Sequence, residues 1–187
     1  MTRQHRFLPE DLSGDRRALY EAITAGPRGT GPQAFALTDD DGALRGPFNG
    51  FLLAPAVGDA LQRLGAAIRY RTALSDRVRE LAVLVVAAHW DSAFERESHE
   101  AVGRTVGLTD DELRSLREGR VPTLADPEEA AALTLVQALV TGDVDDDTWA
   151  ACVPPLSREA VFELSTLVGY YATLALQLRV FRVDPAG

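Results

Sequence analysis

The stretch Leu74-Ser75-Asp76-Arg77-Val78-Arg79-Glu80-Leu81-Ala82-Val83-Leu84-Val85-Val86-Ala87-Ala88 sets the fold class. Ser75 is a helix-capping residue type, and the charged first turn behind it gives way to a run that is apolar on every side. A helix of that kind is buried all round and central. Its valines suit a strand too, but the alanines and the helical context on both sides argue for a helix. Upstream, Pro55 to Arg71 places Val57, Ala60, Leu61, Leu64, Ala67 and Ile68 at the i, i+3/i+4 spacing of an amphipathic helix. Downstream, Ser92-Ala93-Phe94-Glu95 has the Ser-x-x-Glu form of a capping box and opens a helix through His99 that ends near Gly103 or Gly107. Thr109-Asp110-Asp111-Glu112 repeats that signal for a short helix ending about Gly119. Asp126-Pro127-Glu128-Glu129 starts another, with Pro at its first position, running to Val140. A last long helix is expected from Ser157 to about Phe181. No alternating runs remain for strands, so the chain is expected to be all-α, with a break near His89-Trp90-Asp91 folding two central helices antiparallel.

The first fifty residues are uneven. A short helix fits Gly14 to Thr24, after which Gly26-Pro27-Arg28-Gly29-Thr30-Gly31-Pro32 breaks regular structure. Residues 26–50 are expected to form an irregular but ordered lead-in, because Phe35, Leu37, Phe48 and Phe51 would not be left in a disordered tail. The organisation is therefore one domain, with an extension over 1–50 packed on a helical body over 51–187. A faint echo links Leu74-Ser75 with Glu80-Leu81 to Leu156-Ser157 with Glu163-Leu164, each opening a long apolar helix.

Bulk properties narrow the function. The 187 residues are enough for one real core, and 46% hydrophobic with 25% charged residues is ordinary for a globular protein. A net charge of -9 without any block of Lys or Arg argues against nucleic acid as a partner. No run approaches the roughly 18 apolar residues of a membrane span, and the start carries no signal-peptide pattern, so a cytoplasmic location without membrane partner is expected. Cys152 is the single cysteine, so neither an intrachain disulfide nor a Cys-x-x-Cys pair can form.

The polar residues within the apolar middle are Glu80, His89, Asp91, Ser92, Glu95 and His99. Ser92, Glu95 and His99 share one helix face. Glu80 would lie roughly 28 Å from His99 on a continuous helix, but a fold-back near residues 89–91 brings them together. A carboxylate beside an imidazole is the usual arrangement for moving a proton near neutral pH. Each residue also has a plainer reading. Ser92 and Glu95 can serve as a capping box alone, Glu80 as an ion-pair partner of an arginine, and His99 as a satisfied core or interface histidine. His89 suits a helix end, where a cation offsets the dipole. Tyr170 and Tyr171 are either packing or pocket lining, and Asn49 either a turn residue or a ligand group. Glu80, Glu95 and His99 could in principle bind a metal, but no recognised metal motif or phosphate loop is present, and none is expected.

Three segments resemble the carboxymuconolactone decarboxylase family: Gly46-Pro47-Phe48-Asn49, then Leu74 to Leu84, then Trp90-Asp91-Ser92-Ala93-Phe94-Glu95 with His99 and Gly107-Leu108. Gly169-Tyr170-Tyr171 is similar too, so the resemblance covers roughly residues 45–181. It implies an AhpD-like helical bundle that assembles as a homotrimer or homohexamer. In the alkylhydroperoxidase D branch a Glu, a Cys-x-x-Cys pair and a His carry the chemistry. In matching register Glu80 and His99 stand where that Glu and His stand, while Ser92 and Glu95 replace the cysteines. Thiol peroxidase chemistry needs a nucleophilic and a resolving thiol and is excluded on this ground.

The decarboxylase branch, which also lacks the cysteine pair, implies a cofactor-independent lyase acting on a small organic acid or lactone. The expected catalytic residues are then His99 as proton donor or electrophile, Glu80 as its orienting partner and Glu95 as a second acid or base. Ser92, Arg79, Asn49 and Tyr170 are the expected substrate-binding residues, with Arg77 beside Arg79 as another cation for a carboxylate. A dehydratase, cyclase or isomerase would use the same His and Glu, and a non-catalytic small-molecule-binding oligomer is the rival from another class. The stretch Leu178-Arg179-Val180-Phe181 departs from related chains, which often carry an Asn near there, and Arg179 would change the charge of any pocket it reached.

Overall fold

The computed structural model describes residues 2–31 and 34–183, and these carry ten α-helices and no strand, beyond one isolated bridge between Thr38 and Leu44. In chain order the helices are α1 (Gly14–Thr24), α2 (Pro27–Thr30), α3 (Pro47–Phe51), α4 (Pro55–Tyr70), α5 (Asp76–His89), α6 (Ala93–Thr105), α7 (Asp110–Arg117), α8 (Pro127–Thr141), α9 (Asp146–Cys152) and α10 (Arg158–Phe181). The central helix is α5, buried from Val78 to Ala87 without a break. It packs against α6, α8, α10 and α7, which is why its sequence has no polar face. After Trp90 the chain turns through Asp91, whose φ of 48° reverses it, and α6 runs back along α5.

Most helix starts follow from local chemistry. Ser75 Oγ accepts from the Val78 amide at 3.1 Å, and Ser157 Oγ from Ala160 at 3.0 Å, so both members of the sequence echo are capped alike. Glu163 of the second copy accepts from the Ala73 amide at 3.0 Å, steadying the entry to α5 from the neighbouring helix. Thr109 and Glu112 form a full capping box, and Asp126 accepts from the amides of Glu128 and Glu129. The box expected at Ser92 and Glu95 is absent: Ser92 occupies the cap position of α6, but its hydroxyl accepts no amide there.

Three further elements depart from the sequence reading. The Gly-Pro stretch does not abolish regular structure, since Pro27 starts the single turn α2, where its fixed φ suits the first helical position; Pro32, the last residue of that stretch, lies outside the described residues. Pro47 starts α3 in the same way. Helix α9, opened by Asp145 accepting from the Thr148 amide, falls in a segment read as connection because seven residues are too few to show a period.

The lead-in is tied down at several points. Leu12, Leu19, Ile23, Leu37, Leu44, Phe48 and Phe51 join the core, while Phe35 stays half-buried with its ring edge-on to Phe94. The Arg3 amide donates to Phe181 O at 2.7 Å, and Arg6 pairs with Asp39 and Asp41. Helix α10 is long and apolar enough by length and composition to cross a membrane, yet it packs here against α5, α8, α4 and α3.

Arg77 joins three helices. Its guanidinium pairs with Glu129 on α8 at 2.7 Å and Glu112 on α7 at 2.9 Å, and donates to the Gly107 carbonyl. This engagement and its partial burial remove it from the candidate carboxylate binders. Hydrogen bonds to charged groups contribute about 1.5–3 kcal/mol each where partly shielded. Arg77→Ala is expected to cost about 2 kcal/mol, a fall in Tm of roughly 4–8 °C at this chain length, read by calorimetry. An unchanged Tm would show the hub to be dispensable.

Candidate functional site

The fold-back at Asp91 brings Glu80 and His99 together, with His99 Nδ1 2.6 Å from Glu80 Oε2 and both side chains buried. Nineteen residues of sequence separation are thereby reduced to a short hydrogen bond between facing helices. The contact engages Nδ1, so the second ring nitrogen, Nε2, is the one left for other chemistry. The Arg79 guanidinium lies 3.8 Å from the other carboxylate oxygen and also pairs with Asp76 at the helix start. Arg79 therefore serves as a partner to acids of its own helix, and the ion-pair reading of Glu80 and the histidine-partner reading both describe real contacts.

One turn before His99 on the same helix, Glu95 is 2% exposed and neither carboxyl oxygen has a hydrogen-bond partner among the described residues. Burial pushes this carboxyl well above the usual carboxylate range, because removing the anion from water costs more than removing the neutral acid. Ser92 Oγ is buried and likewise without a partner, as is Glu80 Oε1. Buried polar atoms in native proteins are nearly always satisfied, so four such oxygens in one hairpin are unusual.

Two tyrosines of α10 form the third wall. Tyr171 stands edge-on to His99, ring centres 5.1 Å apart, and Tyr170 stands edge-on to Tyr171 at 5.3 Å. Burial pushes the Tyr170 hydroxyl up to about 12, with the charge of Arg28 acting the other way and Glu95 adding to the rise. Tyr171 is raised further for the same reason, and Glu80 contributes. Both phenols stay protonated as donors. Arg28 was not singled out from the sequence. It sits in a glycine-proline turn whose only visible signal was that it breaks structure.

The remaining expected site residues separate from this cluster. Asn49 spends its amide on the backbone of the N-terminal segment: Oδ1 accepts from the Phe7 amide at 3.1 Å and Nδ2 donates to His5 O at 2.6 Å. It also lines a cavity of about 510 Å³ together with Gln4, Arg6 and Asp39. Arg179 donates to the Trp90 carbonyl and lies over the Trp90 ring, clamping the end of α5 and reaching no part of the cluster. His89 is the last residue of α5, edge-on to Trp90 at 6.0 Å. Cys152 is buried and its thiol is pushed up by burial, the opposite of an activated thiolate. Among the described residues no three His, Cys, Asp or Glu side chains converge as metal ligands. Among the described residues, cavities of about 30 to 510 Å³ open elsewhere, and Glu80, Glu95 and His99 do not line these.

The raised carboxyl makes stability depend on pH. Glu95 binds its proton more tightly folded than unfolded, so its contribution is full below about 4.5, its ordinary value, and is lost as pH rises towards the raised folded value. Glu95→Gln removes that dependence. Thermal melts of both proteins are expected to converge near pH 4.5 and to separate as pH rises, with the variant the more stable; parallel curves would mean that Glu95 is not held neutral.

Residues 55–138 match the carboxymuconolactone decarboxylase family, a segment containing Glu80, Ser92, Glu95 and His99. No curated protein sequence matches the chain. Among solved structures, the AhpD core of an uncharacterized peroxidase-related protein from Ralstonia eutropha superposes with a TM-score of 0.76 at 13% identity, covering 98% of this chain and 92% of that one. The debrominase Bmp8 in complex with 2,3,4-tribromopyrrole gives 0.70 at 12% identity, covering 96% and 89%. A putative antioxidant defence protein AhpD from Agrobacterium tumefaciens gives 0.65 at 20% identity, covering 75% and 97%. At these identities the likeness establishes the fold alone: the chain has the AhpD-like fold, and its residues 55–138 match the carboxymuconolactone decarboxylase family.

Proposed function

We propose that this protein is a cofactor-independent lyase that transfers protons on a small organic acid or lactone. The observation that carries the reading is Glu95, a carboxyl kept neutral by burial on the same helix face as the hydrogen-bonded His99–Glu80 pair. A purely structural carboxyl at such depth would be paired. An acid held protonated beside a hydrogen-bonded imidazole–carboxyl pair is what an acid–base site requires.

In a decarboxylation the carbon–carbon bond to the substrate carboxylate breaks, carbon dioxide leaves, and the electron pair remains as an enolate. Donors facing that oxygen stabilise it, and an acid returns a proton to carbon. Glu95 supports the role of proton donor, because burial holds its carboxyl well above the usual carboxylate range, and the hydrogen-bonded His99–Glu80 pair beside it supports the role of base. Tyr171, a protonated phenol against His99, supports the part of enolate donor. The same set suits a dehydratase, cyclase or isomerase. A thiol peroxidase route has no residues to run on.

One observation favours a second reading. The cavities described above leave Glu80, Glu95 and His99 out of their walls, as a non-catalytic small-molecule-binding oligomer would allow. Assembly as a homotrimer or homohexamer is part of either reading, supported by the exposed Val57 and Leu64 on α4 and Leu176 and Val180 on α10.

Purified protein is expected to release carbon dioxide from 4-carboxymuconolactone. His99→Ala, shown folded by circular dichroism, is expected to lower that rate by about 10²–10⁴-fold, the usual worth of a positioned acid–base group. Absence of release by the unaltered protein excludes this substrate. Equal release by the variant excludes His99 from the reaction.

A further inference from the structure

A quarter of the chain is charged, yet one of its cavities has a wall without a single charged side chain. It lies where α3 and the start of α4 meet the end of α10, and it encloses about 180 Å³. Phe51, Leu61, Leu178 and Phe181 make its apolar sides, while the exposed Leu53 and Val57 mark its rim. A cavity of roughly 150 Å³ lined by such side chains stays dry and takes up benzene. The space here therefore suits a single ring with a small substituent.

Its walls come from three parts of the chain that are fastened to one another without filling the space between. A Cβ on Gly58 would fall 2.4 Å from the Phe51 carbonyl oxygen, so glycine there lets α4 close on α3. The Arg3 amide donates to Phe181 O at 2.7 Å, which ties the N-terminal segment to the end of α10. Two polar side chains complete the lining, Gln4 and Gln177. Gln4 donates to the Gly46 carbonyl at 3.4 Å, but the Gln177 amide has no hydrogen-bond partner among the described residues. An amide both donates and accepts, so it answers a hydroxyl or a carbonyl equally well. An ion placed in this wall would lose its hydration and find no counter-charge.

We propose that this cavity is a second ligand site, which takes a neutral molecule of one ring bearing one hydroxyl or carbonyl. The ring packs among Phe51, Leu61 and Leu178, and its polar group bonds the Gln177 amide. Glu80, Glu95 and His99 are not in the wall, so the site binds without taking part in proton transfer and stands independently of the lyase reading. Selection follows from the lining: apolar contact supplies affinity, one amide supplies orientation, and the lack of charge rejects acids and amines. Val57 also belongs to the α4 face that supports assembly, which makes a second copy of the chain the competing occupant.

Phenol is the probe, with toluene as the same ring without the hydroxyl and benzoate as the charged counterpart. Each is titrated into the full chain labelled at leucine and valine methyl groups and followed by NMR. Phenol is expected to shift the Val57, Leu61 and Leu178 signals in a saturable way, toluene to bind several-fold more weakly, and benzoate to leave them in place. Val57→Trp, at an exposed position that spares the core, fills the mouth and is expected to weaken phenol at least tenfold. Gln177→Leu removes the amide at nearly constant volume, and is expected to abolish the preference for phenol over toluene while toluene still binds. It also covers the case in which Val57→Trp fails to fold. No saturable shifts with phenol, benzoate binding as well as phenol, or affinity indifferent to both substitutions overturns the site. So does a second copy in its place, seen as shifts of the same methyl signals on dilution without ligand and no phenol binding to the assembled protein.

Discussion

The hydrogen bond between Glu80 and His99 is the constraint around which the rest of the chain is arranged. It joins side chains of two helices that a continuous rod would hold roughly 28 Å apart. Closing it requires a reversal within two or three residues, which Asp91 supplies with a positive φ of 48°. Aspartate tolerates that conformation better than most residues, since its short side chain can bond locally. The reversal is then held from outside by Arg179, which takes the Trp90 carbonyl left free at the end of α5. The arginine in the last helix thus finds its use in the turn that makes the pair possible, which accounts for its presence without reference to a pocket.

Burial of this pair is affordable only because other charges are handled separately. Arg77 gathers Glu112 and Glu129 at the partly solvated end of α5, and Arg117 takes Glu100 on the outer side of α6. These pairs leave Glu95 as the acid with no counter-charge in reach, and neutrality is then the cheaper state. The tyrosines on α10 follow from the same logic. A protonated phenol is a polar group that can face a carboxylate without adding charge, and its ring supplies the apolar packing that α5 needs on that side.

Much of the helical body was legible in the sequence because its signals are local. Caps at Ser75, Thr109, Asp126 and Ser157 need only a side chain and an amide three residues on, and the period from Pro55 to Tyr70 needs only one helix. Segments shorter than two turns gave no period, so α2, α3 and α9 were invisible as helices. The site was legible in part. Spacing and family resemblance pointed to Glu80 and His99 as neighbours, while a motif match at Ser92 and Glu95 suggested a cap that does not form. The pattern was right about where α6 starts and wrong about what the side chains do, because tertiary burial turned both inward, where no amide of the first turn meets them. Arg28 could not be read at all. Its meeting with Tyr170 spans α2 and α10 and depends on the missing side chain of Gly65.

That failed cap carries the chemical meaning of the hairpin. In the peroxidase branch the resemblance puts two thiols at these positions, groups that work by covalent attack and need a lowered pKa. Here the same two positions hold a hydroxyl and a carboxyl in surroundings that raise acid pKa values, since burial disfavours any anion that lacks a partner. A thiolate placed there would be destabilised by the same desolvation. The setting therefore selects against nucleophilic chemistry and for a neutral acid. Replacing the thiol pair by Ser92 and Glu95 changes the type of reaction the helix pair can support while leaving the backbone that presents it in place.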